Sequence, residues 1–242
     1  MMPGEISYFE EIKRKAIHLS SLWMVAVTLV LPRCFEYGRW ISCVVFAAGL
    51  LITVFSEHDY ANGGKYIGRL YGMLFGKMLR KEVKPGEWLV SGGAFVLAAA
   101  LLVNLLFPPV IAAAALAVML TGDAAAALIG RKFGRHPAPN GKSWEGVAAF
   151  IAAGYGFLAL VLALGGADTV LYLAGIPAVI LAAAAELFTR QLRIDDNFTI
   201  PVCAGAVLML AVWLFPPEPT PAENIQKAFD NTVEGVGELF NR

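Results

Sequence analysis

Between Thr121 and Gly146 the chain reads TGDAAAALIGRKFGRHPAPNGKSWEG. One carboxylate, Asp123, lies within an apolar run, and Arg131, Lys132, Arg135 and Lys142 follow close behind it. A carboxylate in hydrocarbon is costly unless it is paired or binds a metal, so Asp123 is read as functional. Pairing with an Arg or Lys from a neighbouring helix is the structural alternative. Pro137, Pro139, Asn140 and Gly141 fix a turn. Ser143 stands before the next apolar run, where it can cap a helix. Free amides at that helix start, with Lys142 beside them, suit a polyphosphate. Arg131, Lys132, Asn140, Gly141, Lys142, Ser143, Glu145 and Gly146 are therefore the candidate phosphate-binding set. The string Gly141-Lys142-Ser143 is not a P-loop. Such a loop needs glycine where this chain has His136, and no strand precedes it. A positive loop with a Ser cap would explain the basic residues alone.

Two other clusters carry polar chemistry. Glu186 is followed by Asp195, Asp196 and Asn197. Hard oxygen ligands near a polyphosphate point to Mg²⁺, which takes one or two carboxylates plus phosphate oxygens. An Asp-Asp-Asn cap on the following helix is the structural reading, and both can hold at once. Near the N-terminus Glu11, Arg14, Lys15 and His18 share one helical face. A basic membrane-flanking end would look similar. His58 and His136 show no metal-ligand arrangement, and Cys34, Cys43 and Cys203 show no pairing or metal spacing.

The elements that must position these residues read as membrane helices. Of 242 residues, 58% are hydrophobic and 16% charged, against roughly 25% charged in soluble domains. The mean hydropathy is +0.64. The formal net charge is zero, which gives no sign of a nucleic-acid partner. Seven apolar runs approach the roughly 20 residues a spanning helix needs. They are Ala16–Pro32, Gly38–Phe55, Trp88–Phe107, Pro109–Ile129, Trp144–Leu164, Thr169–Phe188 and Phe198–Phe215. The first follows Lys13–Lys15 with no convincing cleavage site before Pro32, so it is read as a retained helix. The predicted fold is an all-α polytopic membrane bundle of about seven spans. Residues 1–217 form its integral membrane domain.

Two amphipathic pieces flank these spans. Gly64, Gly68, Gly72 and Gly76 recur every fourth residue beside Ile67, Tyr71, Leu74 and Met78. This predicts an interfacial helix whose smooth glycine face packs on another helix and borders a lipid entrance. After Pro216-Pro217, the spacing of Ile225, Phe229, Val233, Val236 and Phe240 predicts a C-terminal amphipathic helix over 218–242. With the N-terminus cytoplasmic, the cytoplasmic segments hold all of the 19 Lys and Arg except Arg33, Arg39, Lys227 and Arg242. That bias predicts the N-terminus and the polar loops inside and the C-terminus outside.

Three blocks in order resemble the CTP-dependent lipid-alcohol kinases, the family of dolichol, phytol and CTP-using diacylglycerol kinases. They are Glu11-x-x-Arg14-Lys15-x-x-His18, Thr121–Gly146, and Asp195-Asp196-Asn197-Phe198-Thr199-Ile200-Pro201. The resemblance implies multi-pass helices, a cytoplasmic CTP site and a divalent metal. It implies transfer of the γ-phosphoryl group of CTP to a lipid hydroxyl, releasing CDP. Lys142 and Arg131 would hold phosphates. Asp123 would bind Mg²⁺ or accept the hydroxyl proton, and Glu186 and Asp196 are candidates for the second acidic contribution. Arg14, Lys15, His18, Asp195 and Asn197 complete the candidate site. A long isoprenoid alcohol is the leading acceptor, followed by diacylglycerol. Two rivals are a cytidylyltransferase making a CDP-lipid and a non-enzymatic carrier lined by Asp123 and Glu186. The absence of a visible inverted repeat disfavours the carrier.

Overall fold

A computed structural model describes residues 8–75, 91–192 and 194–216. The chain forms ten helices within these residues: α1 Tyr8–Ser20, α2 Trp23–Cys34, α3 Gly38–Ala61, α4 Gly68–Phe75, α5 Gly92–Leu106, α6 Pro109–Phe133, α7 Trp144–Gly165, α8 Thr169–Leu187, α9 Thr189–Leu192 and α10 Asp196–Leu214. The architecture is all-α, as predicted. Six stretches are long and apolar enough to cross a membrane: Tyr8–Cys34, Gly38–Ala61, Pro109–Phe133, Trp144–Gly165, Thr169–Leu187 and Asp196–Leu214. A multi-pass membrane protein fits this pattern. The seventh run is shorter than a span among the described residues: α5 has 15 residues, and Trp88 lies outside them.

α6 is the central element. Ile111 to Leu120 are 2% exposed or less. Its run of alanines lets neighbouring helices come close on all sides. α7 packs along it most extensively, and α2 and α10 cover other faces. α8 leans on α10, and α5 pairs with α3. The outward faces carry exposed Leu51, Ile52, Leu160, Leu173 and Trp213, as lipid-facing surfaces do.

Local signals set the ends of several elements. Ser143 caps α7 by accepting from the Gly146 amide at 3.1 Å, as the sequence predicts. Asp195 caps α10 by accepting from the Asn197 amide at 3.0 Å. α6 and α7 are joined by a tight hairpin in which Pro137–Ala138 pairs with Lys142–Ser143. Asn140 takes a left-handed conformation in it, with φ 61°. Gly146 lets the two helices touch there, since a Cβ on it would lie 3.0 Å from the Ala126 carbonyl oxygen.

Two expectations need correction. The first apolar run is not one helix from Ala16. It is the end of α1 and all of α2, broken at Ser21-Leu22. Ser20 donates its hydroxyl back to the Ile17 carbonyl at 2.6 Å, a contact that bends helices. The glycine stripe is shorter than read. Gly64 sits in a turn at φ 67°, so the helix begins only at Gly68. Gly76 lies outside the described residues, as does the amphipathic segment 218–242. The remaining glycines do pack on a helix: a Cβ on Gly68 would lie 2.2 Å from the Tyr60 backbone nitrogen, and one on Gly72 would lie 2.3 Å from the Tyr60 ring.

Candidate active site

The polar blocks of the sequence meet in one cleft of about 1480 Å³. α1 contributes Glu11, Arg14 and Lys15, α6 contributes Asp123 and Arg131, and the hairpin contributes Asn140, Gly141, Lys142 and Ser143. Gly146, Glu186 and Asp196 come from α7, α8 and α10. Residues more than a hundred positions apart therefore line one space. Lys132, Glu145, Asp195 and Asn197 are outside its lining, and His18 stands behind Asp123.

The deepest feature is an ionic cluster on Asp123. Lys15 Nζ donates to Asp123 Oδ2 at 2.5 Å, and His18 Nε2 lies 3.3 Å from the same oxygen. Lys15 is only 1% exposed. Each charge makes the other tolerable at that depth. The expected partner of Asp123 is thus a lysine of a neighbouring helix, and that pair also faces the cleft. Above it, Arg14 donates to Glu11 Oε1 at 2.5 Å, and Arg131 Nη1 approaches Glu11 Oε2 at 3.8 Å.

A second cluster surrounds the end of α8. Lys142 Nζ lies 2.7 Å from Glu186 Oε1 and also donates to the Glu186 carbonyl. Asn140 donates to the Leu187 carbonyl at 2.7 Å and to Gln191 Oε1 at 2.8 Å. These contacts satisfy carbonyls that a helix C-terminus leaves open, and the cation suits the negative end of the helix dipole. Glu186 Oε2 is buried and has no hydrogen-bond partner. Glu145 holds the hairpin from outside, accepting from His136 Nδ1 at 2.7 Å and from the His136 amide.

Among the described residues no group of three His, Cys, Asp or Glu side chains is placed to hold a metal. The donor set nevertheless fits Mg²⁺ bound mainly through phosphate oxygens. Asp123 and Asp196 line one cleft, and the orphaned Glu186 Oε2 is a hard oxygen without a donor.

The fastening of α4 depends on two carboxylates, Glu57 and Asp59, to which the sequence reading gave no role. Glu57 is fully buried in α3 and accepts from the Tyr71 hydroxyl and the Ser91 amide, each at 3.1 Å. Asp59 accepts from the amides of Lys65, Tyr66 and Gly68. Burial, with Glu57 beside it, pushes the Tyr71 phenol up to about 12. The signal was available: two carboxylates, Glu57 and Asp59, close an otherwise apolar run.

Phytol kinase from Synechocystis sp. is 27% identical to the chain over 214 residues, covering 85% of this chain and 81% of that protein. The chain is a distant relative of that kinase. An uncharacterized protein of Rickettsia prowazekii is 29% identical over 192 residues, covering 79% of this chain and 90% of its own length. No family model matches the sequence, and no solved structure matches it.

Proposed function

We propose that the protein is a membrane kinase that moves the γ-phosphoryl group of CTP to the hydroxyl of a lipid alcohol. One observation carries this reading: a single cleft at the end of an apolar bundle gathers Lys15, Arg131 and Lys142 with Asp123, Glu186 and Asp196. Cations and carboxylates in one space suit a polyphosphate and its metal, and the surrounding helices suit a lipid. The distant likeness to phytol kinase supports the same reaction class.

Phosphoryl transfer needs alignment and charge neutralisation more than covalent chemistry from the protein. Lys142 and Arg131 hold phosphate oxygens. Asp123, oriented by Lys15 and His18, would hold Mg²⁺ together with Asp196. The ion would neutralise charge on the phosphates. Glu186 Oε2, which lacks a donor, accepts the proton of the acceptor hydroxyl. The alcohol oxygen forms a bond to the γ-phosphorus as the bond to the bridging oxygen breaks, and CDP leaves. The bias in Lys and Arg distribution supports a cytoplasmic position for this cleft, on the side where CTP is found.

The test is incubation of the purified protein with CTP labelled in the γ-phosphate, Mg²⁺ and a panel of isoprenoid alcohols and diacylglycerol. Labelled lipid phosphate with CDP release supports the proposal. Pyrophosphate release with a CDP-lipid product identifies a cytidylyltransferase instead. No nucleotide-dependent turnover overturns the enzyme reading.

A further inference from the structure

The lining of the cleft combines charged groups with apolar side chains. Ile17 of α1 and Leu74 of α4 line it together with Lys15 and Asp123. Both are also open to the outside, Ile17 being 43% and Leu74 60% exposed. Leu70 and Met73 of α4, and Ile67 just before it, are exposed as well. Apolar side chains that face outward and line a charged cleft mark the place where hydrocarbon meets that cleft.

We propose that the lipid alcohol enters sideways, its hydrocarbon chain passing between Ile17 and Leu74 while its hydroxyl reaches the phosphate site. The occupant follows from the continuity of the space. Lys15 and Asp123 make its deep end polar, so an alkyl chain gains nothing by lying there, whereas Ile17 and Leu74 line the cleft and are exposed at the same time. This rests on the kinase reading for the fate of the hydroxyl, though not for the route of the chain.

α4 is a fixed wall of this entrance rather than a loose lid. Gly68 brings its backbone against Tyr60, Asp59 accepts from three amides at the start of the helix, and Tyr71 bonds to buried Glu57. These fastenings all lie on the α3 side and leave Leu74 toward the cleft.

The test uses the full chain in lipid nanodiscs with labelled CTP, one long isoprenoid alcohol and one short water-soluble alcohol. Ile17→Trp and Leu74→Trp narrow the entrance. Each is expected to raise KM for the long alcohol about tenfold, equivalent to about 1.4 kcal/mol. KM for CTP and turnover of the short alcohol stay at parental values. Leu70→Trp, on the same helix but outside the cleft lining, leaves all three unchanged and reports on folding. An unchanged long-alcohol KM in both entrance variants, or an equal rise in Leu70→Trp, overturns the route. A second arm needs no turnover. A photoreactive isoprenoid alcohol, added without nucleotide, should crosslink to α1 and α4, and less in Leu74→Trp. Crosslinks confined to outward faces such as Leu160 and Trp213 overturn the route. If the parent crosslinks at α1 and α4 yet shows no turnover with any alcohol, the entrance stands and the kinase reading falls.

Discussion

Lys15 of α1 bonds Asp123 of α6 at 2.5 Å across 108 positions of sequence. The pair joins the N-terminal helix to the central one and places a carboxylate in the cleft. It also decides how a substitution at Asp123 must be read, because neutralising Asp123 leaves a buried ammonium behind.

Asp123→Asn should nearly abolish turnover and also lower stability by about 3 kcal/mol, the usual scale for breaking a buried ion pair. A double variant, Lys15→Met with Asp123→Asn, removes both charges and should recover most of the melting temperature in detergent. Its turnover should remain lost. Recovery of turnover along with stability would show that Asp123 serves packing alone.

Lys142→Ala should lower kcat/KM for CTP by about a hundredfold, the scale of removing one fixed donor from developing charge. Lys142 is also the cation paired with the buried Glu186 carboxylate, so its removal should lower the melting temperature as well. Steady-state kinetics and isothermal titration with CTP check the first part, and thermal unfolding in detergent checks the second. A raised lipid requirement with normal CTP kinetics would move Lys142 to the acceptor side.

Gly72→Leu should destabilise the protein and lower lipid-dependent activity. The new side chain meets the Tyr60 ring, with which a Cβ alone would collide at 2.3 Å. Gly68→Ala should be worse tolerated than Gly72→Ala, since it meets backbone rather than a ring that can turn aside. Adding Tyr60→Ala should rescue Gly72→Ala and leave Gly68→Ala impaired. Thermal unfolding of the four variants tests this order.

Labelling of single cysteines should place the hairpin and the end of α2 on opposite sides of the membrane. Cys34 is exposed at the end of α2 and serves as a native reporter. A second reporter, His136→Cys, is placed in an otherwise cysteine-free background. With the N-terminus inside, an impermeant reagent added to intact cells reaches Cys34 and not the hairpin. Labelling of both from one side would reject the topology.

The sequence reveals what depends on composition and short spacing. Apolar runs outlined the spans because a helix in lipid must satisfy its own backbone. The Ser143 cap and the meeting of basic and acidic blocks were legible for similar local reasons. Lys15–Asp123 was not, because each residue shows only that it needs a partner, and the partner is set by how α1 packs on α6. The Ser21-Leu22 break was hidden because isolated serines such as Ser20 and Ser21 also occur inside continuous membrane helices. The glycine period overreached at Gly64, since spacing alone cannot tell a helical glycine from one at positive φ. Arg33 and Arg39 looked like mere exceptions to the charge bias. Arg33 instead donates to the Leu164 carbonyl at 2.9 Å, and Arg39 to the carbonyls of Asn104 and Leu105 at 2.8 Å each. They close the C-terminal ends of α7 and α5.

On the kinase reading, the central position of α6 ties the site to bilayer thickness. From Pro109 to Asp123 the helix rises about 21 Å, at about 1.5 Å per residue. A typical hydrocarbon core is about 30 Å thick. If Pro109 marks one boundary, Asp123 lies below the other, and the remaining turns of α6 lift Arg131 toward the headgroups. Since α6 is packed on all sides, it cannot tilt alone to adjust that depth. A thicker membrane would submerge the carboxylate end of the cleft, and a thinner one would raise it into water. On that reading the bundle works as a ruler, its proposed reacting groups set at a height that suits one class of membrane.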